Sequence, residues 1–136
     1  MEMKITFPGG KRVDAEVRGH VIRTDQAPDA GGAGSAPEPF TTFLASIGTC
    51  AGIYVLGFCQ ARGIPTEGIR LTQHVEFDSV KHRLERVRLE IELPPSFPEE
   101  YRESVRRAAG HCAVKKAILD PPEFVIEARV GAGAAA

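Results

Sequence analysis

The chain has 136 residues, with 17 basic and 18 acidic side chains and a formal net charge of −1. That length suits one domain with a modest core, so we treat residues 1–136 as a single domain. The charge balance provides no basic surface for a nucleic acid or an anionic membrane. Because no basic region precedes an apolar stretch at the N-terminus, we expect no signal peptide and a cytoplasmic protein.

The first part of the chain predicts short antiparallel strands. Residues 4–7 alternate apolar and polar side chains up to the turn signal Pro8-Gly9-Gly10, and the alternation resumes over residues 11–17. Val21-Ile22 predicts a third short strand that ends at Asp25. Residues 26–39 are rich in proline, glycine and alanine and predict an irregular loop that leads into a helix.

Residues 40–62 predict one long helix, because no charged side chain occurs between Pro39 and Ala61 and Gly63-Ile64-Pro65 then ends the apolar stretch. A helix of this length, roughly 35 Å, could also cross a bilayer. A helix buried in protein is favoured for two reasons. The segment contains threonines, a serine and glycines, and the amphipathic strands on either side of it need a core to pack against. We therefore expect no membrane association.

Alternating apolar residues predict two antiparallel strands over residues 68–78 and 84–93. A second helix is predicted over about 98–119, with Cys112 on or beside its buried face. A last strand is predicted over 124–130, followed by a frayed end over 131–136. The fold class is therefore α+β, with N-terminal antiparallel strands and two long helices against a sheet. Such a small sheet covers only one side of the apolar helix, which predicts an obligate homodimer.

The three cysteines admit two interpretations. Cys50 and Cys59 lie on opposite sides of one helix, about 13 Å apart along its axis, so they are too far apart for a disulfide. If Cys50 has a partner, that partner is Cys112. The thiols are then either small buried apolar groups or the site of a thiol peroxidase, in which Cys50 becomes a sulfenic acid and Cys112 condenses with it to a disulfide.

A thiol peroxidase needs a lowered thiol pKa, which the dipole of a helix cannot supply at its middle. A nearby cation is therefore expected, and the candidates are Arg12, Arg18 and Arg23 of the N-terminal strands. His111 precedes Cys112, but neighbouring helix positions point about 100° apart. The other histidines are scattered along the chain and predict no metal site.

Four segments resemble the OsmC/Ohr family of osmotically inducible and organic hydroperoxide resistance proteins. They are residues 19–25 (GHVIRTD), 31–34 (GGAG), 39–50 (PFTTFLASIGTC) and 111–117 (HCAVKKA). The match follows the family's order through nearly the whole chain and is closer to the OsmC-like branch. The resemblance implies an OsmC-like fold in which two subunits form an intertwined homodimer, with active sites at the subunit interface.

The resemblance also implies the chemistry. Cys50 would be the peroxidatic thiol and Cys112 the resolving thiol, acting on organic hydroperoxides without a cofactor and reduced by an external dithiol such as a lipoylated protein. The family's activating arginine is best placed at Arg12. Its partner glutamate is replaced, because Thr41 and Phe40 stand at the corresponding helix positions.

Two functions therefore stand at this point. The first is a cysteine-based hydroperoxide reductase for defence against oxidative and osmotic stress. The second is a non-enzymatic dimer that senses redox state or holds a small hydrophobic ligand in an apolar interface pocket.

Overall fold

The computed structural model describes residues 1–131, which begin with a small antiparallel sheet. Strands β1 (Lys4–Gly9), β2 (Arg12–Val17) and β3 (His20–Thr24) lie in the order β1-β2-β3. The first turn contains Gly9 and Gly10, whose φ angles of 142° and 58° suit glycine. The predicted hairpin and third strand are confirmed.

Helix α1 (Pro39–Ala61) follows the predicted loop and differs from the predicted bounds by one residue at each end. Pro39 occupies the first turn, where its missing N–H costs no helical hydrogen bond. After the helix, Gly63 takes a φ of 65°, and the backbone N–H of Ile64 donates to the carbonyl of Cys59 at 2.9 Å. The glycine thus reverses the chain as expected for a C-terminal cap.

Strands β4 (Arg70–Asp78) and β5 (Arg83–Glu92) form the second antiparallel pair, as predicted. Their alternating apolar residues lie on one face, where Leu71 is opposite Ile91 and Gln73 is opposite Leu89. This face packs against α1 at the edge of the core. The arrangement confirms the α+β class.

The core is built on one stripe of α1. Every fourth residue of the helix is buried, because that spacing returns the side chain to the same face. The buried residues of this stripe are Ile47, Ala51, Val55 and Cys59. The last three pack against Phe97, Val105 and Ala109.

The rest of α1 is largely uncovered. Within the described residues it is the one helix long and apolar enough to cross a membrane, and only 22% of its most apolar window is buried in the chain. The core helix of a soluble protein meets the same length and composition test. The uncovered side carries Ile53 and Tyr54, with 58% and 38% of their surface exposed.

The prediction of one helix over 98–119 is wrong. The segment forms a 3₁₀ turn (Glu99–Tyr101), helix α2 (Arg102–Ala109) and helix α3 (Ala113–Leu119). Gly110 follows α2, and Cys112 adopts an extended backbone, with φ −54° and ψ 127°, at the N-cap of α3. Glycine disfavours a helix interior, and the Cys112 thiol provides an acceptor that starts a new helix.

The predicted strand over 124–130 is also not formed. Residues 121–131 have no regular secondary structure, and Phe124, Ile126 and Val130 are highly exposed. The alternation of the sequence is suited to a strand, but a strand needs a neighbour to pair with, and none lies beside this segment within the described residues. Of the predicted frayed end, residues 132–136 lie outside the described residues.

Candidate functional site

The structure brings together the two cysteines that the sequence singled out. Cys50 lies at the middle of α1 and is half-buried, whereas Cys112 is buried at the N-cap of α3. The Cys112 thiol lies near enough to Cys50 to contribute to the lowering of its pKa. Both are free thiols.

Helix α3 presents its first backbone N–H groups to these sulfur atoms. The N–H group of Lys115 donates to the Cys112 sulfur at 3.4 Å. Those of Val114 and Ala113 act on Cys50 by lowering its pKa. The first backbone N–H groups of a helix have no carbonyl acceptor within that helix, so they are free to bind another group. The helix break therefore supplies donors that a continuous helix would have used internally.

The pKa of the Cys50 thiol is lowered below its ordinary value. The largest cause is the backbone N–H of Val114, followed by the thiol of Cys112, while burial acts in the opposite direction and the N–H of Ala113 adds a further lowering. Donors stabilise the thiolate because the hydrogen bond to the charged form is the stronger one. The site can thus hold a nucleophilic sulfur.

The thiol of Cys112 has one proton and two acceptors within reach. It donates to the carbonyl of Ile47 over 3.8 Å, and it also interacts with Cys50. When Cys50 loses its proton, the thiolate becomes the stronger acceptor. Cys112 is therefore placed to stabilise the Cys50 thiolate.

Within this chain the pKa of Cys50 is lowered by the backbone N–H of Val114, the thiol of Cys112 and the N–H of Ala113. These donors were not predicted from the sequence, because the pattern placed residues 112–114 inside a continuous helix. Arg12 lies on β2, half-exposed, and its Nη2 donates to Asp14 Oδ2 at 2.6 Å. Its action on Cys50 stays a prediction.

Cys59 has the surroundings of a structural thiol. It is fully buried in the stripe of α1, and burial raises its pKa above the ordinary value, partly offset by the nearby charge of Arg62. A thiol in this environment stays protonated and unreactive. It therefore offers an internal control for Cys50.

An apolar groove of about 510 Å³ lies beside Cys112. Its walls are the apolar face of β5 on one side and the ends of α2 and α3 on the other. Arg106 and Lys115 are its two charged residues. The lining residues are Ile47, Leu84, Val87, Leu89, Ile91, Arg106, Ala109, Gly110, Cys112, Lys115, Ile118 and Leu119.

One feature of the site was missed from the sequence. The prediction placed the groups Ala113 and Val114 inside a continuous helix, and the signal for the break was Gly110, two residues before a cysteine that can act as an N-cap. His111 is exposed, and no cluster of metal-binding side chains occurs within the described residues.

The fold and the site together define an α+β protein with a paired-thiol site, in which a cysteine of lowered pKa on a long helix lies near a second cysteine at the N-terminus of a short one. The OsmC-like protein family model matches residues 32–127, and the chain belongs to this family. The matched range includes both cysteines. No curated protein matches the chain significantly.

Solved structures share the fold at low sequence identity. A protein from Psychrobacter arcticus described as an osmotic stress induced and detoxification response protein is 20% identical and superposes with a TM-score of 0.72 over 85% of both chains. An organic hydroperoxide resistance protein OsmC from Legionella pneumophila is 18% identical, with a TM-score of 0.54 over 87% of this chain and 89% of that one. An OsmC-like protein of unknown function from Vibrio cholerae is 12% identical, with a TM-score of 0.59 over 85% of this chain and 91% of that one.

Proposed function

We propose that the protein is a thiol-dependent peroxidase that reduces organic hydroperoxides. The single observation that carries this proposal is the neighbouring pair of free thiols, Cys50 and Cys112, of which Cys50 has a lowered pKa. A lone reactive thiol would need a partner from outside, whereas this chain already holds a second thiol in position. The OsmC-like family and its redox-protein relative from Legionella support the same chemistry.

The reaction follows from the arrangement of the two sulfurs. The Cys50 thiolate attacks one peroxide oxygen, so that an S–O bond forms, the O–O bond breaks, and the alkoxide leaves as the alcohol after gaining a proton. The Cys112 sulfur then attacks the Cys50 sulfenic acid, forming the disulfide and releasing water. An external dithiol reduces this disulfide and becomes a disulfide itself. In sum, a hydroperoxide and a dithiol give an alcohol, water and an oxidised dithiol.

The proposal includes a cytoplasmic homodimer. Free cysteines suit a reducing compartment, where a dithiol such as a lipoylated protein is available as reductant. The uncovered side of α1 and the exposed apolar side chains of residues 124–130 are surfaces that a second subunit would bury. Paired in this way, residues 124–130 would gain the neighbouring strand that they lack in one chain.

Reduced protein mixed with cumene hydroperoxide and a dithiol tests the activity. We expect consumption of the hydroperoxide, together with loss of two free thiols per chain when the dithiol is left out. The variant Cys50→Ser should lose turnover by several orders of magnitude, since the attacking thiolate is gone. The matched variant Cys59→Ser changes the unreactive thiol of the same helix, and its turnover should equal that of the unmodified protein.

A second function has one specific observation in its favour. The groove beside Cys112 is apolar and of a size that could hold a small hydrophobic ligand, as in a redox-sensing or ligand-binding dimer. The experiment above separates the two functions. If hydroperoxide is not consumed and no thiol is lost in a Cys50-dependent manner, the peroxidase is excluded and the binding protein is favoured.

A further inference from the structure

The apolar groove of about 510 Å³ reaches one of the two thiols and not the other. Cys112 is among the residues that line it, and Cys50 is not. Only 2% of the Cys112 surface is exposed, so a molecule that reacts with its sulfur must come through an opening that leads to it. The groove therefore gives a route from solvent to Cys112.

The chemistry of a disulfide between Cys50 and Cys112 favours the same sulfur. A thiolate that attacks one sulfur of a disulfide releases the other, and the release is faster when the departing thiol has the lower pKa. The backbone N–H of Val114 is the largest cause that lowers the pKa of Cys50, and the N–H of Ala113 adds to it. These two donors belong to the backbone and do not depend on the Cys112 proton. An attack on Cys112 thus releases the better leaving group.

The walls of the groove suit an apolar chain. Strand β5 contributes Leu84 and Val87, and helix α3 contributes Ile118 and Leu119. Hydrocarbon that enters the groove is removed from water together with these side chains, which favours binding in proportion to the apolar area buried. A thiol on an apolar chain should therefore bind here better than a polar thiol of the same reactivity.

The charged residues of the groove are both cations. Arg106 Nε donates to Glu103 Oε2 at 3.0 Å, so its charge is already paired. Lys115 has no carboxylate within ion-pair distance among residues 1–131. Its ammonium nitrogen lies 3.9 Å from the position that a Cβ on Gly110 would occupy, between the end of α2 and the start of α3. The lysine is thus a cation that an incoming thiolate meets beside Cys112.

We propose that this groove binds the external dithiol on an apolar chain, that the dithiol attacks Cys112 and not Cys50, and that Lys115 attracts the attacking thiolate. The inference rests on the proposed function and specifies the place and direction of its reductive half. The first thiolate forms an S–S bond to the Cys112 sulfur, and the Cys50 sulfur leaves as a thiolate. The second thiol then attacks the first sulfur of the dithiol and releases Cys112. The dithiol becomes a disulfide, and its two protons end on the two cysteines.

The test follows the reduction of the disulfide on its own. Diamide oxidises the full chain to the disulfide without any hydroperoxide. Mercaptohexanol, which carries a single thiol on an apolar chain, is then added, and N-ethylmaleimide stops the reaction by blocking the released cysteine. Because a monothiol cannot close a ring with itself, its mixed disulfide remains on the attacked cysteine. Tryptic digestion and mass spectrometry identify that cysteine.

We expect the mercaptohexanol adduct on Cys112 and the maleimide on Cys50. Mercaptohexanol should also react at least about tenfold faster than mercaptoethanol, because its longer chain buries more apolar surface. Val87→Trp fills the groove from β5 and should abolish this preference. The control Val80→Trp places the same side chain in the turn after β4, at a residue that is 87% exposed, and should keep it.

A charge variant tests the lysine separately. Lys115→Gln should slow the attack of mercaptohexanol about fivefold, the upper end of what an exposed ion pair contributes. Lys116→Gln changes the neighbouring exposed lysine, which does not line the groove, and should react as the unmodified protein. Equal rates for the two variants would remove Lys115 from the proposal.

An adduct on Cys50 would overturn the inference, as would equal rates for the two monothiols or failure of diamide to join Cys50 to Cys112. The oxidation of Cys50 by cumene hydroperoxide is measured in parallel. It should be the same in Val87→Trp as in the unmodified protein, and an equal loss in both half-reactions would also overturn the inference.

If the unmodified protein does not reduce the hydroperoxide, the proposed peroxidase fails, and the disulfide made with diamide still decides where a thiol attacks. Circular dichroism and thermal unfolding show whether each variant is folded. The position of the adduct is measured on the unmodified protein, so it does not depend on any variant.

Discussion

Cys112 joins three parts of the molecule through one sulfur atom. The sulfur accepts a hydrogen bond from the backbone N–H of Lys115, donates to the carbonyl of Ile47, and interacts with the thiol of Cys50. The first contact starts α3 and the other two tie it to α1. Substituting Cys112 should therefore have three consequences that can be measured separately: a less stable start of α3, a changed pKa of Cys50 and the loss of disulfide formation.

Two substitutions at Cys112 distinguish these effects. Cys112→Ala removes the donor that stabilises the Cys50 thiolate, so the pKa of Cys50 should rise toward its ordinary value, and the lost cap should cost about 1 kcal/mol. Cys112→Ser keeps a hydroxyl that can donate and cap, so the pKa should stay lower than in the alanine variant. Neither variant can form the disulfide, and both should accumulate Cys50 sulfenic acid. Iodoacetamide alkylation against pH and dimedone trapping measure the two quantities.

Identical titration of Cys50 in the two variants and the unmodified protein would show that the Cys112 thiol does not stabilise the thiolate.

The sequence was enough to name Cys112 as the candidate partner of Cys50, because the helix geometry excludes Cys59 and the family resemblance points to Cys112. The donors Val114 and Ala113 could not be predicted, because backbone N–H groups become available only where a helix starts. Whether a helix starts there depends on whether the chain stays helical through Gly110 or breaks at it, and the sequence pattern alone does not decide between the two.

At the scale of elements, the loop between β3 and α1 is fixed by one carboxylate. Asp25 is buried and accepts hydrogen bonds from the hydroxyl of Ser35, at 2.6 Å, and from the backbone N–H groups of Ser35 and Gln26. The Ser35 hydroxyl is the largest cause that lowers the pKa of Asp25 from 3.8 to about 2, while burial opposes the lowering. The loop is thus closed onto the end of β3 before the chain enters α1.

The substitution Ser35→Ala should raise the folded pKa of Asp25 toward 3.8 and reduce stability at neutral pH. A carboxylate with a lowered folded pKa contributes stability that is fully present above its unfolded pKa and is lost as pH falls through its folded value. The stability gap between Ser35→Ala and the unmodified protein should therefore shrink as pH falls from about 4 to about 2. Urea unfolding at several pH values measures the gap. Asp29→Asn, at an exposed carboxylate of the same loop, should give no such pH-dependent gap, and a constant gap for Ser35→Ala would contradict the linkage.

The elements that the sequence predicted well are those defined by local pattern. Alternation and turn residues located β1 to β5, and the uncharged stretch located α1 to within one residue at each end. The two failures, over 98–119 and 124–130, have different physical reasons. Over 98–119 the single glycine Gly110 is a weak helix-breaking signal against a strong apolar period. Over 124–130 the alternation suits a strand, but no strand lies beside the segment within the described residues.

The whole molecule has more apolar surface than a single chain covers. Ile53 and Tyr54 of α1 are exposed, and Phe40, which contacts Phe43 and Phe77, is 48% exposed. Contiguous apolar surface of this kind marks an interaction site in a soluble protein. One side of this long apolar helix packs against α2 and Phe97, with β4 and β5 at the edge, and the other side is the surface on which we propose a second copy binds.

The final prediction tests that burial directly. Ile53→Glu places a charge on the uncovered side of α1, where Ile53 is 58% exposed in one chain, so the charge should be tolerated in the monomer and excluded from a dimer interface. We expect the dissociation constant to rise at least about a hundredfold, or about 2.8 kcal/mol, by sedimentation equilibrium. Val80→Glu, at a residue that is 87% exposed in the turn between β4 and β5, should leave dimerisation unchanged. Because the active site is proposed to lie at the interface, Ile53→Glu should also slow hydroperoxide reduction in proportion to the monomer formed. An unmodified chain that sediments as a monomer, or an Ile53→Glu variant that dimerises as tightly as Val80→Glu, would show that another partner covers α1.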